Sequence, residues 1–332
     1  MVRCSKRPVR ILLNVWGCEM GSSSGGTFSS KRSPADLLSA VRNEEAVNQS
    51  AQFKAELAGV LSELLATCNN RDVPLVRERL SNLKELLAGA LEGSFDQLFG
   101  GSVAKHTYVD GLSDIDSVVV IGGSELDDAS PADALRRMAG VLQEKLGANA
   151  KVSHGRMAVS VEYGDGMVVQ LLPAHRDSAG KLRVPSSRHE GWSSINPDAF
   201  REALTRRNEE CGGRLVPVIK LAKAINGQLP ESQRLSGYHM ESLGIAAFKG
   251  YDGERTVSAM LPHYFEKAKN LIASPIQDST GQSVHVDEYL GEANSPARMA
   301  LGHVLGRIGR RMQNASASGS VDQWKALFGE GI

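Results

Sequence analysis

The stretch from Phe99 to Ile121, FGGSVAKHTYVDGLSDIDSVVVI, carries residue types and spacings suited to phosphoryl chemistry. Gly100 and Gly101 let the backbone approach a ligand closely, and Ser102 adds an amide and a hydroxyl. About a dozen residues later come Asp114 and Asp116. Residues two apart on a strand face the same side, so both carboxylates point together. Two carboxylates held side by side repel unless a cation neutralises them. Mg2+ or Mn2+ with phosphate oxygens is the natural counterpart. The run Ser117 to Ile121 that follows is apolar and β-branched, as a buried strand requires. The bland alternative is an ordinary Gly-Ser turn and an exposed strand entrance; the co-occurrence of the parts in this order favours the functional reading.

Such residues need elements to hold them. Ser33-Pro34 reads as a helix start, with helical periodicity through LLSAVRNEEAVNQSAQFKAELAGVLSELLATC, interrupted by a break. A second helix, Val76 to Leu91, carries Leu80, Leu83, Leu86 and Leu87 on one face, a stripe that reads as core packing. After the Asp pair, Ser130-Pro131 opens another helix reaching about Leu146. Residues 151–154 and 157–163 read as strands. Gly164-Asp165-Gly166 is a hairpin turn, and Met167 to Leu172 is the returning strand, ended by Pro173. From Pro197 onward the pattern is helical: Pro197 to Cys211, Arg214 to Asn226, Tyr238 to Lys249, Thr256 to Ser274 and Ser295 to Ser316.

The Gly-Ser turn followed by Asp-x-Asp resembles the signature of polymerase-β-type nucleotidyltransferases. The wording GS…K-x-T-x-V-x-G-x-SDID is similar to the CD-NTase branch, related to cyclic GMP-AMP synthase and oligoadenylate synthase. The resemblance spans about residues 95–310 and implies an α+β fold. A nucleotidyltransferase catalytic domain with a mixed sheet would occupy residues 34–195, and a C-terminal helical domain residues 196–332, with a nucleotide cleft between them. It also implies a metal-dependent enzyme that uses nucleoside triphosphates to make a cyclic or linear oligonucleotide messenger in anti-phage defence. A partner from the same operon, an effector or regulatory protein, goes with that role. Template-independent or protein-primed polymerisation, and nucleotidyl-modifying toxin activity, use the same chemistry.

By the same resemblance Gly101 and Ser102 contact the nucleotide, and Asp114 and Asp116 bind the metal. The third acidic position falls in Val168-Val169-Gln170-Leu171-Leu172-Pro173-Ala174, and it holds Gln170. An amide offers an oxygen ligand but cannot act as a base at neutral pH. Three readings stay open: two carboxylates suffice, another group substitutes, or the chain is a catalytically dead nucleotide sensor. If Asp165-Gly166 is a two-residue turn, Val161 sits opposite Gln170 and Glu162 points to the other face. His175 is a second candidate base. Lys220 matches a basic triphosphate contact of the family, against the alternative of a surface lysine. Lys223, one turn on, is a solvated residue or a second phosphate contact. Leu235 to Leu243 resembles the S-[YF]-x-L-E stretch of the family. There Ser236 caps a helix facing phosphate, Tyr238 stacks on a base or packs in the core, and Glu241 braces the fold. Lys105 and His106 read as loop residues, Lys105 with a phosphate option. Arg156 matches a family position without a firm role, and Pro275 to Gln282 resembles the D-P-x-x loop.

Composition narrows the classes. Lys+Arg and Asp+Glu are both 38, so a bulk nucleic-acid binder is disfavoured, and 5% aromatics argue against an extended stacking platform. Cys4, Cys18, Cys68 and Cys211 form no close pair, which indicates neither a zinc site nor a disulfide framework and fits a cytoplasmic setting. No apolar run reaches the ~18 residues of a bilayer span. The start, MVRCSKRPVRILLNVW, resembles a secretory signal in outline, but its apolar part is short and interrupted. Residues 1–33 are expected to be disordered or a start-site artefact, with Met20 as the alternative start.

Overall fold

A computed structural model describes residues 34–69, 72–91, 94–99, 115–122, 129–186, 190–276 and 287–329. Expectations for residues 1–33, the Ser33 cap, Lys105, His106 and the loop at 277–286 lie outside the described residues. The chain forms two compact units, 1–47 and 48–332. The described part of the first is the start of helix α1 (Pro34–Cys68). That helix is continuous where a break was expected, since no proline follows Pro34 within it. Everything below concerns the second unit.

Helix α2 (Val73–Ala90) begins at Asp72, whose carboxylate accepts the Leu75 N–H at 2.9 Å. Its leucine stripe is core: Leu80, Leu83 and Leu87 are fully buried. Strands β1 (Ser94–Phe99) and β2 (Ile115–Gly122) follow, then helix α3 (Pro131–Leu146). Ser130 caps α3 as expected, accepting the Asp133 N–H at 3.2 Å while its hydroxyl donates to the Asp133 carboxylate. Strands β3 (Ala150–His154), β4 (Val159–Tyr163), β5 (Val168–Arg176), β6 (Leu182–Pro185) and β7 (Trp192–Ile195) complete a mixed sheet. Its order is β1-β2-β5-β4-β3, with β6 on β5 and β7 on β6. The β2–β5 pair is parallel and the others antiparallel.

Strand β2 is buried on both faces. Val119 and Ile121 join α2, α3 and the inner residues of β4 and β5, while Val118 and Val120 pack with Ala174, Leu182 and Val184. Two expectations fail here. Pro173 does not end β5, which runs on to Arg176. Strand β4 has already stopped opposite Leu171, so Pro173 has a ladder neighbour, Val119, on one side only and its missing N–H leaves no gap. Strands β6 and β7 were not anticipated.

The C-terminal part is helical as expected: α4 (Pro197–Glu210), α5 (Leu215–Gly227), α6 (Gly237–Ala247), α7 (Val257–Leu271) and α8 (Pro296–Ala317), with a short α9 (Val321–Lys325). These pack around one apolar cluster that also takes in Leu57, Leu61, Leu64 and Cys68 of α1. The helices meet closely at Gly244. A β-carbon there would lie 2.8 Å from Ile219 Cδ1, so only glycine lets α6 approach α5 this far.

Candidate active site

The parallel register sets position 116 of β2 directly opposite Gln170 of β5. Across β5, Gln170 pairs with Ser160, and Ser160 pairs with Ser153 of β3. One row of four polar residues thus crosses the sheet from Asp116 to its β3 edge. Gly101, Ser102 and Asp114 lie outside the described residues, and for Asp116 the backbone alone is described.

The hairpin register corrects the expected pairing. Gly166 N–H donates to Tyr163 O at 2.9 Å, and Tyr163 N–H donates to Met167 O at 2.9 Å. The turn therefore has three residues, Gly164 to Gly166, with Gly166 at φ +87° as this turn requires. Ser160, not Val161, faces Gln170. Val159, Val161, Val169 and Leu171 fill the core side, and Glu162 moves onto the face of Gln170. Glu162 lies opposite Val168, one step from Gln170, and contacts Lys151 at 3.4 Å on the surface. His175 is five residues from Gln170 and so on the opposite face. There its ring lies 4.5 Å from Trp192, whose indole N–H donates to Ala129 O.

The turn itself is clamped. Arg79 of α2 donates two hydrogen bonds, of 2.9 and 2.8 Å, to Asp165, and its guanidinium lies 3.9 Å over the Tyr163 ring. Arg79 and the Met167 N–H hold the Asp165 carboxyl below the usual carboxylate range.

A second group converges at the start of α6. Ser236 caps it, accepting the His239 N–H at 3.2 Å. Glu241 is an internal brace, as expected. Lys223 is not solvated: it is 6% exposed and its Nζ donates to Glu241 Oε1 at 2.8 Å, because α5 is buried almost all round. A β-carbon at Gly237 would lie 3.4 Å from that Nζ, so the ammonium sits directly under the first residue of α6. Tyr238 is half-buried with its ring 4.5 Å from Phe200. Lys220, one turn before Lys223, bonds to Asn69 at the end of α1.

Sequence reasoning missed a buried polar chain beneath this helix start. His239 is fully buried. Its Nδ1 lies 2.8 Å from the Tyr289 hydroxyl, and its Nε2 lies 3.8 Å from Asp287. The Nε2 atom, on the Asp287 side, has no hydrogen-bond partner among the described residues. Burial pushes the His239 pKa down to about 4, against the pull of Asp287 and with the push of Arg298. Arg298, fully buried, bonds to Asp287 and to the carbonyls of Ile272, Ser274 and Gly291. Asp287 in turn accepts the Ile276 N–H at 3.1 Å. The available signal was an arginine in register with Leu301, Leu305 and Ile308 on the buried face of α8.

Chemically, a carboxylate at position 116 and the amide of Gln170 opposite it are both oxygen donors, of the kind hard divalent cations take. Among the described residues no cluster of His, Cys, Asp or Glu could hold a metal.

The mixed sheet with its helical C-terminal part is a polymerase-β-like nucleotidyltransferase fold of the α+β class. More closely, it is the cyclic GMP-AMP synthase/DncV-like CD-NTase fold. No family model and no curated protein matches the sequence. Bradyrhizobium diazoefficiens CdnG, solved with GTP, superimposes with a TM-score of 0.65 at 16% identity, covering 82% of this chain and 95% of its own. Escherichia coli MS115-1 CdnC, solved with ATP, gives 0.59 at 17%, covering 85% and 97%. Vibrio cholerae DncV, a cyclic AMP-GMP synthase, gives 0.56 at 13%, covering 89% and 90%. No helix of the described residues is long and apolar enough to cross a membrane.

Proposed function

We propose that this protein is a metal-dependent nucleotidyltransferase that joins nucleoside triphosphates into a cyclic or linear oligonucleotide signal. The pairing of position 116 with Gln170 on adjacent parallel strands of a CD-NTase fold carries this reading. Asp114 and Asp116, with the Gln170 amide, hold Mg2+ or Mn2+, which supplies charge neutralisation at the triphosphate. The Gly101-Ser102 turn and Lys220 bind phosphate oxygens. Ser236 and Tyr238 present the start of α6 to the nucleotide. A hydroxyl oxygen then bonds to the α-phosphorus, the α–β bridging bond breaks, and pyrophosphate leaves. Gln170 cannot take the hydroxyl proton, so it passes to a carboxylate of the pair or to water. The sheet and the C-terminal helices have separate apolar clusters, which supports a catalytic half and a helical half meeting near residue 195, with α1 packing its Leu57, Leu61, Leu64 and Cys68 into the helical cluster. The setting is cytoplasmic anti-phage defence, with an effector or regulatory protein from the same operon as partner.

Gln170 supports a second reading, a nucleotide-binding sensor without turnover. Incubation with Mg2+ or Mn2+ and each α-labelled NTP and dNTP separates the two. Phosphatase-resistant soluble product, lost in Asp114→Ala/Asp116→Ala, supports the synthase. Label retained on protein indicates a protein-primed or modifying enzyme. Nucleotide binding with no labelled product supports the sensor.

A further inference from the structure

Gln170 sits between two directly opposed neighbours, position 116 on β2 and Ser160 on β4. Val159 and Val161 have no exposed surface and fill the core, so Ser160 between them stands on the face of Gln170. Both Ser160 and Gln170 are half-buried. Their spacing follows from the turn. Tyr163 N–H donates to Met167 O, which makes 163–167 a hydrogen-bonded pair. Bonded and non-bonded pairs alternate along an antiparallel ladder, so 161–169 is bonded and 160–170 is not. In a non-bonded pair the side chains come closest, with α-carbons about 4.5 Å apart. On the far side of Ser160 lies Ser153. Among the described residues neither serine hydroxyl is committed to another group.

An amide, unlike a carboxylate, has two unlike ends: an oxygen that attracts a cation and an NH2 group that repels one. The group that receives the NH2 decides which end meets position 116. We propose that Ser160 is the positioning residue for Gln170. Its oxygen accepts an N–H of the amide, which turns the amide oxygen toward position 116 and the metal. The Ser160 hydroxyl proton points on to Ser153, so the donors of the row all run toward the β3 edge. This rests on the metal-dependent nucleotidyltransferase reading above. A carboxylate at position 170 needs no such partner, because its two oxygens are equivalent.

Mn2+ binding to the full chain, followed by the electron paramagnetic resonance signal of the free ion, tests this in a double-mutant cycle. Ser160→Ala should weaken Mn2+ binding about fivefold, the scale of one hydrogen bond. Ser160→Thr keeps the hydroxyl and should bind as wild type does. In a Gln170→Asp background, Ser160→Ala should change the affinity less than about twofold, since nothing is left to orient. Melting temperatures within a few degrees of wild type exclude a folding defect. Unchanged Mn2+ affinity in Ser160→Ala overturns the proposal and leaves the nucleotidyltransferase reading standing. So does an equal loss in both backgrounds, or a loss in Ser160→Thr as large as in Ser160→Ala, either of which marks a packing effect. A wild-type chain that binds no Mn2+ overturns both.

Discussion

Lowering the pH from 7 to 5 should destabilise this protein through His239. The imidazole is buried and neutral, faced by Tyr289 and Ser236 on one side and by Asp287 and Arg298 on the other. Its folded pKa of about 4 lies below the 6.5 of an unfolded histidine. Between those values the unfolded chain binds a proton that the folded chain does not, so stability rises with pH. The contribution is fully present above pH 6.5 and is lost as the pH falls toward 4. Linkage arithmetic gives a loss of about 2 kcal/mol between pH 7 and pH 5 and roughly 3 kcal/mol by pH 4. His263, also depressed mainly by burial, adds in the same direction. Denaturant titrations at pH 7, 6 and 5 should therefore be run on wild type and on His239→Asn. The variant lacks the titrating ring but keeps an acceptor for Tyr289, and His263 cancels in the difference. The wild-type curve should fall about 2 kcal/mol further than the variant's between pH 7 and pH 5. Parallel curves, or an NMR titration placing His239 near 6.5, would refute the assignment of a neutral buried imidazole.

Two further outcomes follow from the buried charges and from Gln170. Lys223→Met strands the Glu241 carboxylate in the core and should cost about 3–5 kcal/mol, measured by denaturant unfolding; Lys223→Met/Glu241→Leu should recover much of it, because the desolvated charge is then gone. Gln170→Asp puts a carboxylate opposite position 116, and labelled-product assays should show turnover raised or unchanged. Complete loss of product would mean that the amide itself has a role.

Much of the architecture was legible because it is written in apolar periodicity. The run after Asp116 is β-branched and buried on both faces, and the leucines of α2 and the capped start of α3 follow helical spacing. Strands β6 and β7 were not legible: each has four residues, and β7 carries two serines. The hairpin register turned on one residue. Gly164-Asp165-Gly166 is compatible with a two- or a three-residue turn, and the choice reverses which side of the sheet Glu162 occupies. The three-residue turn is the one in which Val159 and Val161 meet the core, and the Arg79 grip on Asp165 fits it.

The polar residues of the helical part show where periodicity misleads. Lys223 reads from sequence as a solvated residue or a phosphate contact; but a helix buried almost all round has no solvent face there, and the charge is met by Glu241 eighteen residues later in the chain. His239, Asp287 and Arg298 come from three separate elements of the chain, and no local pattern joins them. What joins them is the cost of burying charge. An arginine with no exposed surface must find carbonyls and a carboxylate, and those acceptors come from both sides of the 277–286 segment: Ile272 and Ser274 before it, Asp287 and Gly291 after it. The same ion pair fixes the backbone that carries Tyr289. One buried cation on α8 thereby sets the position of Tyr289 against His239, at the start of α6.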